Sequence, residues 1–312
     1  MRYIEGLRGG ETIRNIYLCK GKRQAETRNG KPYECVLLQD KTGTLDGKIW
    51  DPNSLGIHDY DEKDFIEVYG DIITYNNNLQ LNIKQLRVAQ EGEYDPADYM
   101  PVSENNVEGM FEQLLTYVRG IEDDHLRHAV EYYFVEDPVF VADFKAHSAA
   151  KSVHHGFSGG LLEHTLSVVR MCEFMTKNYP MLHKDLLIAA AITHDIGKVR
   201  ELSDFPENDY TDEGQLIGHI IIGVEMISEA IRRDETFPKG LANEWKHCIL
   251  AHHGELEYGS PKKPAIAEAV ALHMADNTDA KMETLKEAFK DKKDGDWIGY
   301  NRFFESNLKK TE

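Results

Sequence analysis

The stretch AITHDIGKVR, residues 191–200, runs from apolar residues into His194, Asp195, Gly197 and Lys198. An imidazole beside a carboxylate is a natural ligand pair for a divalent transition metal. Further candidates of the same types stand at His164 in LLEHT, His219 in LIGHI, His252 and His253 in AHHG, and Asp276 in LHMAD. Neighbouring groups are about 24 to 33 residues apart, roughly one helix plus one loop per step. Each group therefore comes from a different helix, and facing helices of a bundle are a common place to build a metal site. If one helix runs through 194–198, then His194, Asp195 and Lys198 edge one face of it, and Gly197 leaves room for close approach. Lys198 would then hold a phosphate oxygen beside the metals. A lone histidine on an apolar helix is ordinarily a hydrogen-bonded structural residue, and that is the expectation for His125, His128, His147, His183, His247 and His273. The ordered set of His164, His194, Asp195, His219, His252, His253 and Asp276 is too convergent for that reading.

The segments around these residues carry helical periodicity. LLEHTLSVVRMCEFMTKNY, KDLLIAAAITHDIGK, LIGHIIIGVEMISEAIRR, LANEWKHCILAHH and AIAEAVALHMADNTDAKMETLKEAF all space apolar residues as a bundle requires. An all-α domain is expected over 107–312, with its metal-binding core at about 145–285. Residues 91–106, EGEYDPADYMPVSENN, are acidic and contain two prolines, so a linker is expected there.

The first ninety residues read as β. NIYLCKGK, YECVLLQD, TLDGKIWD, DFIEVYGDIITY and LQLNIKQLRVA are short segments rich in strand-favouring residues, with turn signals between them. About five strands in this length suit a small closed barrel. The pattern resembles an OB-fold, with LLQDKTGTLDGKIWD as its strand–turn–strand core and Gly70 in a later strand. The chain is thus read as multidomain, a small β-barrel over 1–90 followed by an all-α helical bundle.

Charge is divided unevenly. Residues 1–90 hold 13 basic and 13 acidic residues, so the whole net charge of −18 lies in the remainder of the 312 residues. An acidic chain argues against indiscriminate nucleic-acid binding, yet it leaves room for a local basic groove or for metals that recruit phosphates. No apolar run approaches the length needed to span a bilayer, and the N-terminal segment lacks an apolar signal core. The four cysteines are scattered without a CxxC pair, which suits free thiols in a reducing cytoplasm.

His164, His194-Asp195 and Asp276 resemble the signature of the HD-domain metal-dependent phosphohydrolases, and His219 with His252-His253 matches the added ligands of their two-metal members. The stretches KSVHHGFSGGLLEHTLSV, THDIGKVREL and AHHGELEYGSPKKPAIAEAVALHMADNTDAK, behind an OB-like barrel, resemble the YhaM-type 3′-to-5′ exoribonucleases. The resemblance implies cytoplasmic, oligomeric enzymes that favour manganese and degrade single-stranded RNA and DNA. It implies ligation of one metal by His164, His194, Asp195 and Asp276. Asp195 would bridge to a second metal held by His219 and by His252, His253 or both. Relatives that bind a third metal carry a glutamate where this chain has Gly160, so two divalent ions are expected, with manganese the leading candidate.

Two such ions can share a hydroxide that attacks phosphorus in line, releasing nucleoside 5′-monophosphates. Asp195, Lys198 and His155 are the expected catalytic residues, His155 as proton donor to the leaving 3′-oxygen and Lys198 as partner of a phosphate oxygen. His154 is expected on substrate phosphate, and Lys262 at the mouth of the site. In the barrel, Lys20, Lys22, Arg23, Arg28 and Lys31 cluster, and Tyr17, Tyr33, Trp50, Tyr69 and Tyr75 lie on or beside strands. A basic loop plus exposed rings tracks a strand and stacks its bases; Lys22, Arg23, Tyr33 and Trp50 are the chosen contacts. Two other readings compete. A nucleotide or cyclic-dinucleotide phosphohydrolase would leave the barrel without a task. A non-enzymatic single-strand-binding factor would leave the ligand set without one.

Overall fold

The computed structural model describes residues 2–27, 30–75, 78–99, 105–150, 156–205, 208–290 and 292–312. The chain divides into two units, Met1–Val102 with Asp204–Asn208, and Ser103–Ser203 with Asp209–Glu312.

The first unit is built on β1 (Thr12–Glu26), β2 (Pro32–Asp40), β3 (Gly43–Ile49), β4 (Phe65–Tyr75) and β5 (Asn78–Val88). They close into a barrel in the order β1-β2-β3-β5-β4. Every pairing is antiparallel except β3 with β5, which is parallel. This is the strand order of an OB-fold. Alternation along the strands turns Val36, Leu38, Leu45, Ile49, Val68 and Ile72 into the barrel interior, while the intervening residues face outward. Tyr17, expected near the binding face, is fully buried in that interior.

The segment expected to be a linker is partly folded. Tyr99 is buried, Tyr94 stacks on Phe65 with ring centroids 3.9 Å apart, and Gln39 donates to the Tyr99 carbonyl at 3.0 Å. Two tyrosines in an otherwise polar run supply enough apolar area to hold this stretch against the barrel's end.

The second unit contains α1 (Val107–Arg119), α2 (Asp124–Phe134), α3 (Pro138–Ala146), α4 (Gly160–Asn178), α5 (Lys184–Thr193), α6 (Lys198–Glu201), α7 (Asp212–Leu216), α8 (His219–Arg232), α9 (Lys239–Ala251) and α10 (Ala267–Phe289). Side chains close the helix starts: Asn106 accepts from Gly109 N, Asp123 from Leu126 N and Thr211 from Gly214 N. α5 is apolar on all sides, and Leu186 through Thr193 are all buried. It is the central post of the bundle, in contact with α1, α2, α4, α9 and α10.

The unit is not helical to its end. After α10 come β6 (Trp297–Asn301) and β7 (Ser306–Lys309), an antiparallel hairpin. Trp297, Ile298 and Tyr300 favour extended backbone, and Gly299 at φ 89° breaks any helix there. The helix expected through 194–198 is broken too. α5 stops at Thr193, a tight turn follows in which Ile196 N bonds Thr193 O and Lys198 N bonds Asp195 O, and α6 begins at Lys198. Among the described residues no helix is long and apolar enough to cross a membrane.

Candidate metal centre

All the expected ligands sit at or near helix ends except Asp276, which lies within α10. His164 is in the second turn of α4, His194 and Asp195 follow α5, His219 opens α8, and His252 and His253 follow α9. The turn after α5 can carry its residues to the α8 start only because residue 197 is glycine. A Cβ there would lie 2.1 Å from the His219 carbonyl oxygen and 2.7 Å from Gly223 N.

The ligand atoms converge in two groups. One comprises His164, His194 and Asp276, the other His219, His252 and His253, and within each the ligand atoms lie within 4.8 Å of one another. Asp195 stands between them. Its Oδ2 is 3.4 Å from both His164 Nε2 and His194 Nε2, and its Oδ1 is 3.5 Å from His219 Nε2 and 3.6 Å from His252 Nε2. One carboxylate thus offers one oxygen to each group.

The imidazoles are held by their other nitrogen. His194 Nδ1 is 2.8 Å from Ala191 O, His252 Nδ1 is 2.7 Å from Ile249 O, and His253 Nδ1 is 2.8 Å from Tyr258 O. His164 Nδ1 is 2.7 Å from Asp279 Oδ2, and His219 Nδ1 is 2.8 Å from Glu201 Oε1. All these partners are acceptors, so Nδ1 carries the hydrogen and Nε2 presents its lone pair to the centre. His164 Nε2 and His194 Nε2 lie only 3.1 Å apart, both aimed at one point.

The residues around His219 and His252 fit a divalent ion on a further count. Asp195 Oδ1, His219 Nε2 and His252 Nε2 are buried and have no hydrogen-bond partner among the described residues. Buried polar atoms left unpaired are costly, and three around one point mark a place for a ligand.

Electrostatics agree with the ligand role. Burial, reinforced by the neighbouring imidazoles, pushes both His194 and His253 down to about 4, which keeps them neutral. Burial opposes charge on His164 and His252 too, but the surrounding carboxylates, Asp195 foremost, outweigh it and raise both. Burial likewise opposes the charged form of Asp195, yet Lys198 and the imidazoles outweigh it and hold the carboxyl well below its ordinary range. Lys198 Nζ lies 2.7 Å from Asp195 Oδ2.

Asp279 and Glu201, which hold two of these imidazoles, are residues that the sequence pattern did not single out. Asp279 also accepts from Ser167, and Glu201 also accepts from His219 N at 3.0 Å, so each carboxylate is itself oriented. The i,i+3 relation of Asp276 to Asp279 on α10 was the available signal.

Other expected residues stand elsewhere. His154 and His155 lie outside the described residues. Lys262 is exposed and does not line the pocket at the centre, and its neighbour Lys263 pairs with Glu255 at 2.6 Å. His273, expected to be structural, does line that pocket. The remaining structural readings hold for His147, which is 3.2 Å from Leu202 O, and His183, which caps α5.

In the barrel, Lys22 is engaged with a neighbouring loop residue. Its ammonium donates to the Tyr60 carbonyl at 2.9 Å and sits 4.0 Å over the Tyr60 ring. Arg23, Cys35, Lys48 and Asn82 form one cross-strand row over β1, β2, β3 and β5. Arg23 is exposed, and Lys48 lies 2.7 Å from Cys35 Sγ and 5.3 Å over the Tyr33 ring. Tyr33 and Trp50 pair with centroids 5.0 Å apart, and Trp50, 47 % exposed, donates to Asn82 Oδ1 at 3.1 Å. Tyr75 is exposed at the tip of the β4–β5 hairpin, while Tyr69 lies under Arg14.

The HD domain family model matches residues 161–281. A solution NMR structure of the second OB-fold domain of replication protein A from Methanococcus maripaludis is 17% identical, with a TM-score of 0.24, over 30% of this chain and 98% of that one. The 3′-5′ exoribonuclease YhaM of Geobacillus sp. (strain WCH70) is 34% identical over 293 residues, which are 92% of this chain and 88% of that protein. A likeness of that extent takes in both units, and the chain belongs to the YhaM family of 3′-5′ exoribonucleases.

Proposed function

We propose that the protein hydrolyses single-stranded RNA, and single-stranded DNA as well, from the 3′ end, releasing nucleoside 5′-monophosphates with two divalent ions, manganese preferred. The observation that carries this reading is Asp195, with one oxygen directed at each histidine group. His164, His194 and Asp276 would hold one ion, His219, His252 and His253 the other, with Asp195 shared. Bound there, the pair supplies an activated water and neutralises charge on the scissile phosphate.

The chain's own residues do the rest. The Nδ1 bonds fix the imidazoles, so the centre does not reorganise when charge builds up on the phosphate. Lys198, whose ammonium lies on Asp195 Oδ2 at the edge of the centre, would take a non-bridging phosphate oxygen. Arg23, Lys48, Tyr33 and Trp50 give the strand a basic, aromatic track that reads no sequence. The family resemblance supports a homo-oligomer working in the cytoplasm.

The test is digestion of 5′-labelled and 3′-labelled single strands with manganese, with magnesium and with chelator. The 3′ label should appear at once as mononucleotide, and the 5′ label should pass through a ladder of shortening strands. Release of the 5′ label first, or activity that persists in chelator, would refute the reading.

A further inference from the structure

The pocket at the metal centre has a wall that ion binding leaves without a task. Its volume is about 420 Å³. Beyond the ligands and Lys198, it is lined by Tyr258, His273 and Asn277 and by small side chains such as Ala149 and Ala280.

His273 is clamped on two sides. Its Nδ1 is 2.9 Å from the His252 carbonyl oxygen, which can only accept, so Nδ1 carries the hydrogen and Nε2 the lone pair. Gly254, at φ +78°, lies against the ring, and a Cβ there would be 2.3 Å from His273 Cε1. The ring is half-buried, and its Nε2 makes no hydrogen bond with a described residue. One turn further along α10, Asn277 also lines the pocket and also has no side-chain partner among the described residues. Tyr258, 67 % exposed, stands at the mouth.

An oriented acceptor and a neighbouring amide, one or two helical turns from a phosphate-binding centre, match the hydroxyls of a ribose. The alanines leave space for the sugar, and an exposed tyrosine ring suits any base. We infer that this pocket seats the 3′-terminal nucleoside, and that His273 is a specificity residue for ribose, accepting a hydrogen bond from the 2′-hydroxyl through Nε2. Asn277 faces the 3′-hydroxyl and Tyr258 the base. The inference rests on the exoribonuclease reading. It adds that the enzyme distinguishes the sugar of the nucleotide it removes.

The experiment uses the full-length protein with manganese and two 5′-labelled RNA strands, identical except that one ends in a 2′-deoxynucleotide. The rate of first-nucleotide release is measured for the wild type, His273→Ala and His273→Gln, with manganese stoichiometry measured for all three. Wild type should prefer the ribose-ended strand by about tenfold, the worth of one hydrogen bond. His273→Ala should lose that preference by slowing on the ribose-ended strand alone. His273→Gln has an N–H for the His252 carbonyl and an oxygen for the hydroxyl, so it should keep part of the preference. Equal slowing on both strands, or loss of manganese in both variants, would assign His273 to supporting His252 and overturn the inference. A wild type that degrades both strands equally would overturn it too. A wild type that releases mononucleotide from neither strand would instead bring down the exoribonuclease reading on which it rests.

Discussion

Lys198 and Asp195 form a buried ion pair inside the metal centre, Nζ 2.7 Å from Oδ2. The ammonium occupies the same carboxylate oxygen that faces His164 and His194, so lysine and a divalent ion compete for it. Replacing Lys198 with Met removes the competitor. Manganese affinity should rise a few-fold in a calorimetric titration, while kcat on RNA should fall about 10²- to 10³-fold as a transition-state contact is lost. An unchanged kcat would remove Lys198 from the phosphate.

Asp279 and Glu201 orient different imidazoles, His164 in one group and His219 in the other. Asp279→Ala should weaken one bound manganese by about 10- to 100-fold and leave the other nearly as tight, with Glu201→Ala doing the reverse. Stepwise titration resolves the two events. A uniform loss at both sites in each variant would count against two separable groups.

The candidate ligand set was legible in the sequence because histidines and aspartates that recur once per helix and loop are seldom placed so by chance. Asp279 and Glu201 were not, since the chain has 54 acidic residues and an outer carboxylate carries no spacing of its own. The five barrel strands were legible from their composition and turn signals, whereas the partners that Lys22 and Lys48 hold within the protein were not. A sequence shows that a charge is present but not that its ammonium is already bonded to Tyr60 O. Tyr17 and Trp50 illustrate the same limit: both are strand aromatics, and only the pleat decides that one is core and the other surface. The C-terminal hairpin was masked by the long α10 pattern just before it.

Gly197 is required by backbone approach. Gly197→Ala places a methyl 2.1 Å from the His219 carbonyl, where neither partner is a flexible side chain. Destabilisation of about 3 kcal/mol is expected, read from the urea midpoint of the metal-free protein. A midpoint equal to wild type would show that the turn has slack.

On the barrel, Trp50→Ala should raise KM for long single strands about tenfold and leave cleavage of a dinucleotide unchanged, since stacking on the barrel is lost but the metal centre is intact. Arg23→Ala should lower the dependence of binding on salt by about 0.7 in log–log slope, the share of one phosphate on a single strand. Lys22→Ala should change neither quantity.

Manganese binding should tighten as pH rises from about 6 to about 8, because the ions must displace protons from His164 and His252, whose affinity for protons is raised. His194 and His253, already neutral above about 4, add nothing in that range. Without metal the sign reverses. A raised imidazole stabilises the fold below its ordinary range, and that contribution is lost as pH climbs through the raised value. Thermal unfolding with and without manganese across this range should show opposite slopes. Parallel slopes would contradict the assignment of protons to these two imidazoles.

The ligands are drawn from segments that begin at His164 and end at Asp276, all of them after the barrel strands. A chain made from its N-terminus therefore folds the barrel before it owns a single ligand, and completes the set only when α10 has emerged. An enzyme whose substrate is RNA, made from an RNA template, thereby gains a built-in delay: most of the polypeptide is finished before its cutting site can exist.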